Sequence, residues 1–390
     1  MKKICVVTGS RADYGLLKNL LELLKKQKKY DLQIIVSCMH LSKKFGKTIN
    51  EIKKDGFKIN YKADFNIKED KPNDICRYLG TGVTKFSLAY KKLKPDYLVL
   101  LGDRFETFSA ASAALVHNIP IIHIHGGELT ESAIDDALRH SITKMSTYHF
   151  VANKVYRNRV RQLGENPKNI FTVGGMGVDC IKKNKFISKT ELEKKLKINF
   201  LKKNLLITYH SETLSKKNSK IGIDNILKSL KKLKKTCLIF TSSNGDTYNS
   251  YINNKIKNFV KKHNDAHFFY SLGTVNYYSC LKHVDAVIGN SSSGLLEVPT
   301  FKKFTINVGN RQKGRLRAKS VLDTTTSVQM INKFLKLIYL PSFKKILRKS
   351  INPYGKGNAN IKILKKIDQI TKINKRYPKK FFDVNDKLLD

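Results

Sequence analysis

The densest group of ionisable side chains is His123-Ile124-His125-Gly126-Gly127-Glu128, followed closely by Asp135, Asp136, Arg139 and His140. Strand alternation puts His123 and His125 on one face, away from Ile122 and Ile124. Asp135/Arg139 and Asp136/His140 have helical i, i+4 spacing, with the acids in the first turn. Crowded carboxylates and imidazoles are what acid/base chemistry needs, because unlike environments split their pKa values. The same set also suits a salt-bridge network capping a helix. A metal site is less well served, since no HExxH or comparable compact ligand spacing is present.

A second cluster, Gly102-Asp103-Arg104-Phe105-Glu106, follows the apolar run Tyr97 to Leu101. Asp103, Arg104 and Glu106 are costly to bury unpaired, so they pair with one another or face a ligand. The turn Thr8-Gly9-Ser10-Arg11-Ala12-Asp13-Tyr14 offers Arg11 and backbone donors to an anion, or simply a helix capped by Asp13. It is not a GxGxxG, so no dinucleotide site is indicated.

In the second half, Tyr209-His210-Ser211-Glu212-Thr213 and Ser242-Ser243-Asn244-Gly245-Asp246 each follow an apolar run. The latter fits a ribose, a base edge or an ordinary polar turn. Gly289-Asn290-Ser291-Ser292-Ser293-Gly294-Leu295-Leu296-Glu297 reads as a strand–turn–helix whose N–H groups and hydroxyls converge on phosphate. Glu297 is placed to accept from a ribose diol, and Arg311 adds a fixed cation. Together they describe a diphosphate cradle without a Walker lysine.

These groups all lie just after candidate strands, where open α/β sheets bind ligands. Strands are expected at Ile4 to Val7, Leu32 to Val36, Tyr97 to Leu101 and Ile119 to Ile124, then at Leu205 to Thr208, Cys237 to Thr241, His267 to Tyr270, Ala286 to Gly289 and Thr305 to Val308. Their near-continuous hydrophobicity is that of parallel strands buried on both faces. Amphipathic segments such as Leu16 to Leu24 and Ile221 to Leu233 alternate with them. The chain therefore reads as two doubly wound, Rossmann-like α/β domains, 1–173 and 174–352, hinged near Val173-Gly174-Gly175. A helix and charged tail, 353–390, complete it.

The 390 residues carry 75 Lys and Arg against 31 Asp and Glu, a net charge of +44. The lysines are spread along every amphipathic stretch, as on solvated helix faces, and no nucleic-acid partner is expected. Six scattered cysteines without a CxxC pair suggest neither a zinc site nor a disulfide framework. The apolar run after Met1 is shorter than a signal-peptide core of about 7–15 residues, and no stretch approaches the roughly 18 apolar residues of a membrane span. A cytoplasmic protein without a membrane partner is the expectation.

Taken in order, Thr8 to Tyr14, Gly102-Asp103-Arg104, His125-Gly126-Gly127-Glu128, Arg139-His140-Ser141-Ile142-Thr143-Lys144, His210-Ser211-Glu212-Thr213, Gly289 to Gly294 and Arg311-Gln312-Lys313-Gly314-Arg315 closely resemble the hydrolysing UDP-N-acetylglucosamine 2-epimerases of bacterial sialic-acid synthesis. The resemblance runs from Lys3 to about Tyr354. It implies a glycosyltransferase-B-type architecture with the active site in the interdomain cleft and a C-terminal segment packed on the first domain. It implies loss of the C2 proton and of UDP to give a 2-acetamidoglucal, then hydration to N-acetylmannosamine, with no cofactor and no metal. Relatives are commonly dimers or tetramers, so a homo-oligomer is expected.

By matching motif, Asp103 and Asp135 are implied in proton transfer, with Asp136 or Glu128 in support and His210 at the diphosphate or leaving group. Arg11, Ala12, Arg104, Arg139, Asn244, Ser291, Ser292, Glu297 and Arg311 are implied in binding the UDP-sugar. His125 stands where many relatives have a catalytic Glu, and is read as a variant acid/base. Relatives in legionaminic-acid synthesis act on UDP-2,4-diacetamido-2,4,6-trideoxyglucose; the segment Thr130 to Ile134 is read as favouring that sugar, although no residue decides between a 4-hydroxyl and a 4-acetamido group.

Overall fold

The computed structural model describes residues 1–43, 46–65, 72–130, 134–212, 216–242, 249–373 and 378–384. It divides into two units. The first comprises Met1–Glu128, Asp135–Cys180 and Gly357–Asp390, and the second Leu129–Ile134 and Ile181–Lys356. The division expected at 173/174 thus falls at Cys180/Ile181, inside the helix Met176–Lys183 rather than at the glycines before it. At the other end it falls at Lys356/Gly357 rather than at 352/353.

The first unit is built on seven strands: β1 (Lys2–Thr8), β2 (Tyr30–Ser37), β3 (Tyr61–Ala63), β4 (Tyr97–Leu101), β5 (Ile121–Ile124), β6 (Tyr148–Val151) and β7 (Ile170–Thr172). Their order is β3-β2-β1-β4-β5-β6-β7, all parallel. The order reverses between β1 and β4, which makes the turns after those strands the expected ligand edge. One face of the sheet is covered by the helix Arg11–Lys25 through Leu17, Leu20, Leu21 and Leu24, and by the helix Ala359–Lys372 through Ile363, Ile367 and Ile370. The other face carries the helices Pro72–Leu93 and Phe105–Val116, packed through Phe86, Ala110 and Ala114. Each such buried Leu, Ile or Phe side chain contributes about 1.5–3 kcal/mol.

The second unit has β8 (Lys203–Thr208), β9 (Thr236–Thr241), β10 (Ala266–Phe269), β11 (Ala286–Gly289), β12 (Phe304–Val308) and β13 (Val321–Thr324). It repeats the topology as β10-β9-β8-β11-β12-β13, again all parallel, with the switch between β8 and β11. Gly289 ends β11 at φ +132°, where an added Cβ would lie 1.9 Å from the Thr208 carbonyl oxygen. Only glycine lets the two strand ends approach this closely.

Several boundaries differ from the sequence expectation. The first helix starts at Arg11 because Ser10 caps it, accepting from the Asp13 N–H at 3.3 Å. β5 begins after Pro120, which has no N–H for the ladder. The helix expected over Ile221 to Leu233 runs Lys216–Leu230. Among the described residues no helix is long and apolar enough to cross a membrane.

The C-terminal helix is anchored by Asp179, which is buried and accepts from the backbone N–H of Ala359 at 2.9 Å and of Asn360 at 2.8 Å, and from Asn360 Nδ2 at 2.9 Å. A carboxylate at a helix N-terminus satisfies donors that otherwise have no partner and complements the dipole. Replacing Asp179 by Ala is expected to cost about 2 kcal/mol, read as a lower urea midpoint for the first unit; an unchanged midpoint would contradict the anchoring role.

Candidate active site

At the carboxyl edge of the first sheet, pairing of β4 with β5 brings the turn after Leu101 beside the turn after Ile124. His123, fully buried, fastens the two: it donates from Nε2 to the Gly102 carbonyl at 2.8 Å and sets Nδ1 3.2 Å from Thr143 Oγ1. Burial pushes its pKa down to about 3, so it is a neutral brace. His125 does not continue the strand face expected from alternation. It leaves the sheet at φ +68°, an uncommon conformation for a non-glycine residue, and its Nε2 accepts the Met176 N–H at 3.4 Å.

Arg139 gathers the carboxylates. Its side chain is 1% exposed, and its guanidinium donates to Asp103, to Asp136 Oδ1 at 3.2 Å and to the Glu128 carbonyl at 2.9 Å. One planar fork thus ties the β4 turn, the loop after β5 and the helix Asp135–Met145. His140 sits 3.5 Å from Asp136 Oδ2, with its pKa lowered chiefly by burial. Glu128 is buried, while Asp135 is partly buried in the first turn of the helix.

Beside this group, Arg104 Nε donates to Glu106 Oε1 at 2.7 Å, and Tyr78 Oη donates to Glu106 Oε2 at 3.4 Å. Glu106 is buried under the first turn, where a Cβ on Gly9 would lie 2.3 Å from its Oε1. Gly9 is therefore needed for this close approach. Asp13 receives Ser10 Oγ–H at 2.8 Å, and its pKa is pushed up to about 6 by loss of solvent, with Arg104 opposing and Glu106 and Asp103 reinforcing. Arg11 pairs with Glu51 at 3.2 Å with both side chains substantially exposed, and Ala12 is exposed.

In the second unit the ends of β8, β11 and β12 converge on Asn290. Its Oδ1 accepts the His210 N–H at 2.7 Å and its Nδ2 donates to the His210 carbonyl at 2.9 Å. Its own carbonyl accepts Arg311 Nη1 at 3.2 Å and Gln312 Nε2 at 2.9 Å. His210 is held well below its ordinary pKa by burial and by Arg311, and so is neutral. Glu212 Oε1 accepts the Asn310 N–H at 2.9 Å, tying the two turns together.

The helix expected after the serine run is a single turn, Ser293–Leu296, so it adds little dipole to the turn holding Ser291 and Ser292. Glu297 is not left open for a diol: Tyr278 Oη donates to it at 2.8 Å and Ser293 Oγ at 2.5 Å, and burial raises its pKa. Asn244 and Thr213 lie outside the described residues. Sequence reasoning missed Gln312 as a partner of Asn290 and Asp13 as a titrating group, whereas the Arg104–Glu106 pair is one of the two outcomes the charge cluster offered. The alternative of a helix capped by Asp13 is corrected: Ser10 is the cap and Asp13 sits in the first turn, and the Ser-x-x-Asp spacing is the signal that distinguishes the two.

Residues 22–368 match the family described as UDP-N-acetylglucosamine 2-epimerase, and the chain belongs to that family. It is 44% identical over 324 residues, 83% of this chain and 84% of the relative, to the Campylobacter jejuni GDP/UDP-N,N'-diacetylbacillosamine 2-epimerase (hydrolyzing). It is 38% identical to the Escherichia coli polysialic acid biosynthesis protein P7 over 98% of both chains. The Legionella pneumophila UDP-N,N'-diacetylbacillosamine 2-epimerase (hydrolyzing) is 33% identical over 92% of this chain and 94% of its own. The two parallel-sheet units share their fold with the Neisseria meningitidis UDP-GlcNAc 2-epimerase crystallised with UDP-GlcNAc, at TM-score 0.81 and 19% identity over 94% of this chain and 100% of that one.

The raised pKa of Asp13 sets a pH dependence. Below the unfolded value of 3.8 the group is protonated in both states; above about 6 the folded state carries a carboxylate that its surroundings disfavour. Stability from this group therefore falls as pH rises from about 4 to 6. Asp13→Asn is expected to stabilise the protein at about pH 7.5 and to make little difference near pH 4, as read by urea midpoints at both; an equal effect at the two would contradict the assignment.

Proposed function

We propose that this protein is a hydrolysing UDP-sugar 2-epimerase, converting UDP-N-acetylglucosamine and water to N-acetylmannosamine and UDP for nonulosonate synthesis. The observation that carries the reading is the carboxylate group assembled on buried Arg139, at the ligand edge of a sheet in a chain of this family. A carboxylate takes the C2 proton, the C–H electron pair forms the C1=C2 bond, and the C1–O bond breaks to release UDP. Water then adds across that bond, placing hydroxyl on C1 and hydrogen on C2 from the opposite face.

C2–H is a weak acid, so its base must be held at near-attack distance, and the leaving diphosphate needs prearranged donors. Asp103 and Asp135 are assigned to proton transfer, with Asp136, Glu128 and His125 in support. The diphosphate falls to His210, Ser291, Ser292 and Arg311. Neutral His210 is suited to donating a hydrogen bond to the departing phosphate oxygen. Arg11, Ala12, Arg104 and Asn244 complete the assigned substrate-binding positions, whereas Arg139 and Glu297, placed there by motif alone, are engaged by internal partners.

A second reading, with UDP-N,N'-diacetylbacillosamine as substrate, is favoured by the names of the Campylobacter and Legionella relatives. Both sugars undergo the same elimination, since they differ away from C1 and C2.

Incubation with each UDP-sugar in D2O, followed by NMR, is expected to show UDP release and a free 2-epimerised sugar deuterated at C2. Product without deuterium would refute the elimination, and an intact UDP-sugar product would mark the non-hydrolysing reaction. Asp103→Asn and Asp135→Asn are each expected to lower turnover by about 10²-fold or more; near-normal turnover would remove that residue from proton transfer.

A further inference from the structure

The family match ends at residue 368, but residues 378–384 are seated on the first unit by contacts of their own. The Lys379 ammonium lies 2.7 Å from Glu165 Oε2 and donates to the backbone carbonyls of Ser146, at 2.7 Å, and of Lys144. The Lys144 carbonyl lies in the last turn of the helix Asp135–Met145 and Ser146 follows it directly, where the last C=O groups lack helical partners and the dipole is negative. A lysine from the tail thus caps the helix that carries Asp135, Asp136 and Arg139.

The cap is itself held in place. Glu165, buried to 2% exposure, also takes Lys144 Nζ at 3.1 Å and the His149 Nε2–H at 2.9 Å. Burial alone would raise its pKa, but these partners and Lys379 hold it below the usual range. Next to it, Phe382 N–H donates to the Gly164 carbonyl at 2.9 Å. The Phe381 ring sits 4.5 Å from the Lys144 ammonium and fills the space over Gly164, where a Cβ would come within 2.3 Å of it.

We propose that Lys379 is a positioning residue for the active site: it fixes the far end of the helix Asp135–Met145 and thereby the placement of the carboxylates at its near end. The inference rests on those carboxylates being the reacting groups proposed above. The helix has 11 residues, so at 1.5 Å per residue it spans about 16 Å. Over that length it moves as one body, and a displacement of about 1 Å at a reacting group can cost as much as 10²-fold in rate.

The test uses the full chain with Lys379→Met, which keeps the apolar stem but loses the charge and donors, and Lys379→Arg, which restores both. Lys379→Met is expected to speed amide exchange at residues 142–146 and to lower kcat by about three- to tenfold with little change in KM, and Lys379→Arg to recover most of the loss. Glu165→Gln, which loosens the anchor from the other side, should act in the same direction. Unchanged exchange in both Lys379→Met and Glu165→Gln would overturn the cap, and faster exchange with unchanged kcat would overturn positioning. A wild-type chain inactive on both UDP-sugars would refute the reaction instead, with the exchange comparison still deciding the cap.

Discussion

The organisation of the first unit follows from one buried guanidinium. Removing Arg139 from water costs several kcal/mol unless every face of the cation finds an acceptor. The chain meets that demand with Asp103, Asp136 and the Glu128 carbonyl, drawn from three separate segments. The β4–β5 pairing makes the arrangement reachable, and neutral His123 holds the two turns together without adding a second buried charge. Acid groups that would repel one another in isolation are thereby kept close at a sheet edge.

The second unit solves a different problem with the same topology. Its switch point carries a neutral hub, Asn290, which joins the ends of β8, β11 and β12 through amide hydrogen bonds and leaves the cationic Arg311 at the edge. A carboxylate hub there would oppose an anionic ligand; an amide orders the turns without that repulsion. Equivalent edges of two similar sheets are thus differentiated electrostatically, one rich in carboxylates and one presenting donors.

Much of this was legible in the sequence, for identifiable reasons. Strands such as Tyr97–Leu101 and Ala286–Gly289 declare themselves because burial on both faces demands unbroken hydrophobicity. The short strands β3, β6, β7 and β13 were not read, since runs such as Tyr61–Ala63 and Val321–Thr324 mix polar residues into three or four positions. Asp103 and Arg139 stand out in the sequence as members of two charge clusters, but their pairing depends on strand adjacency that local spacing does not encode. The break expected at Val173-Gly174-Gly175 rests on glycine as a mark of backbone freedom, whereas the division into compact units follows which core each flanking residue enters.

Asp179 and the helix Ala359–Lys372 also bear on how the chain folds during synthesis. The helix supplies Ile363, Ile367 and Ile370 to the core around Ile4 and Val6, yet it is made after the whole of 181–356. The ribosome therefore delivers the second unit's main segment uninterrupted while the first, though begun earlier, still lacks part of its apolar cover. Order of synthesis and order of completion are inverted, and the nascent amino-terminal sheet must keep that face from other chains until the last helix emerges.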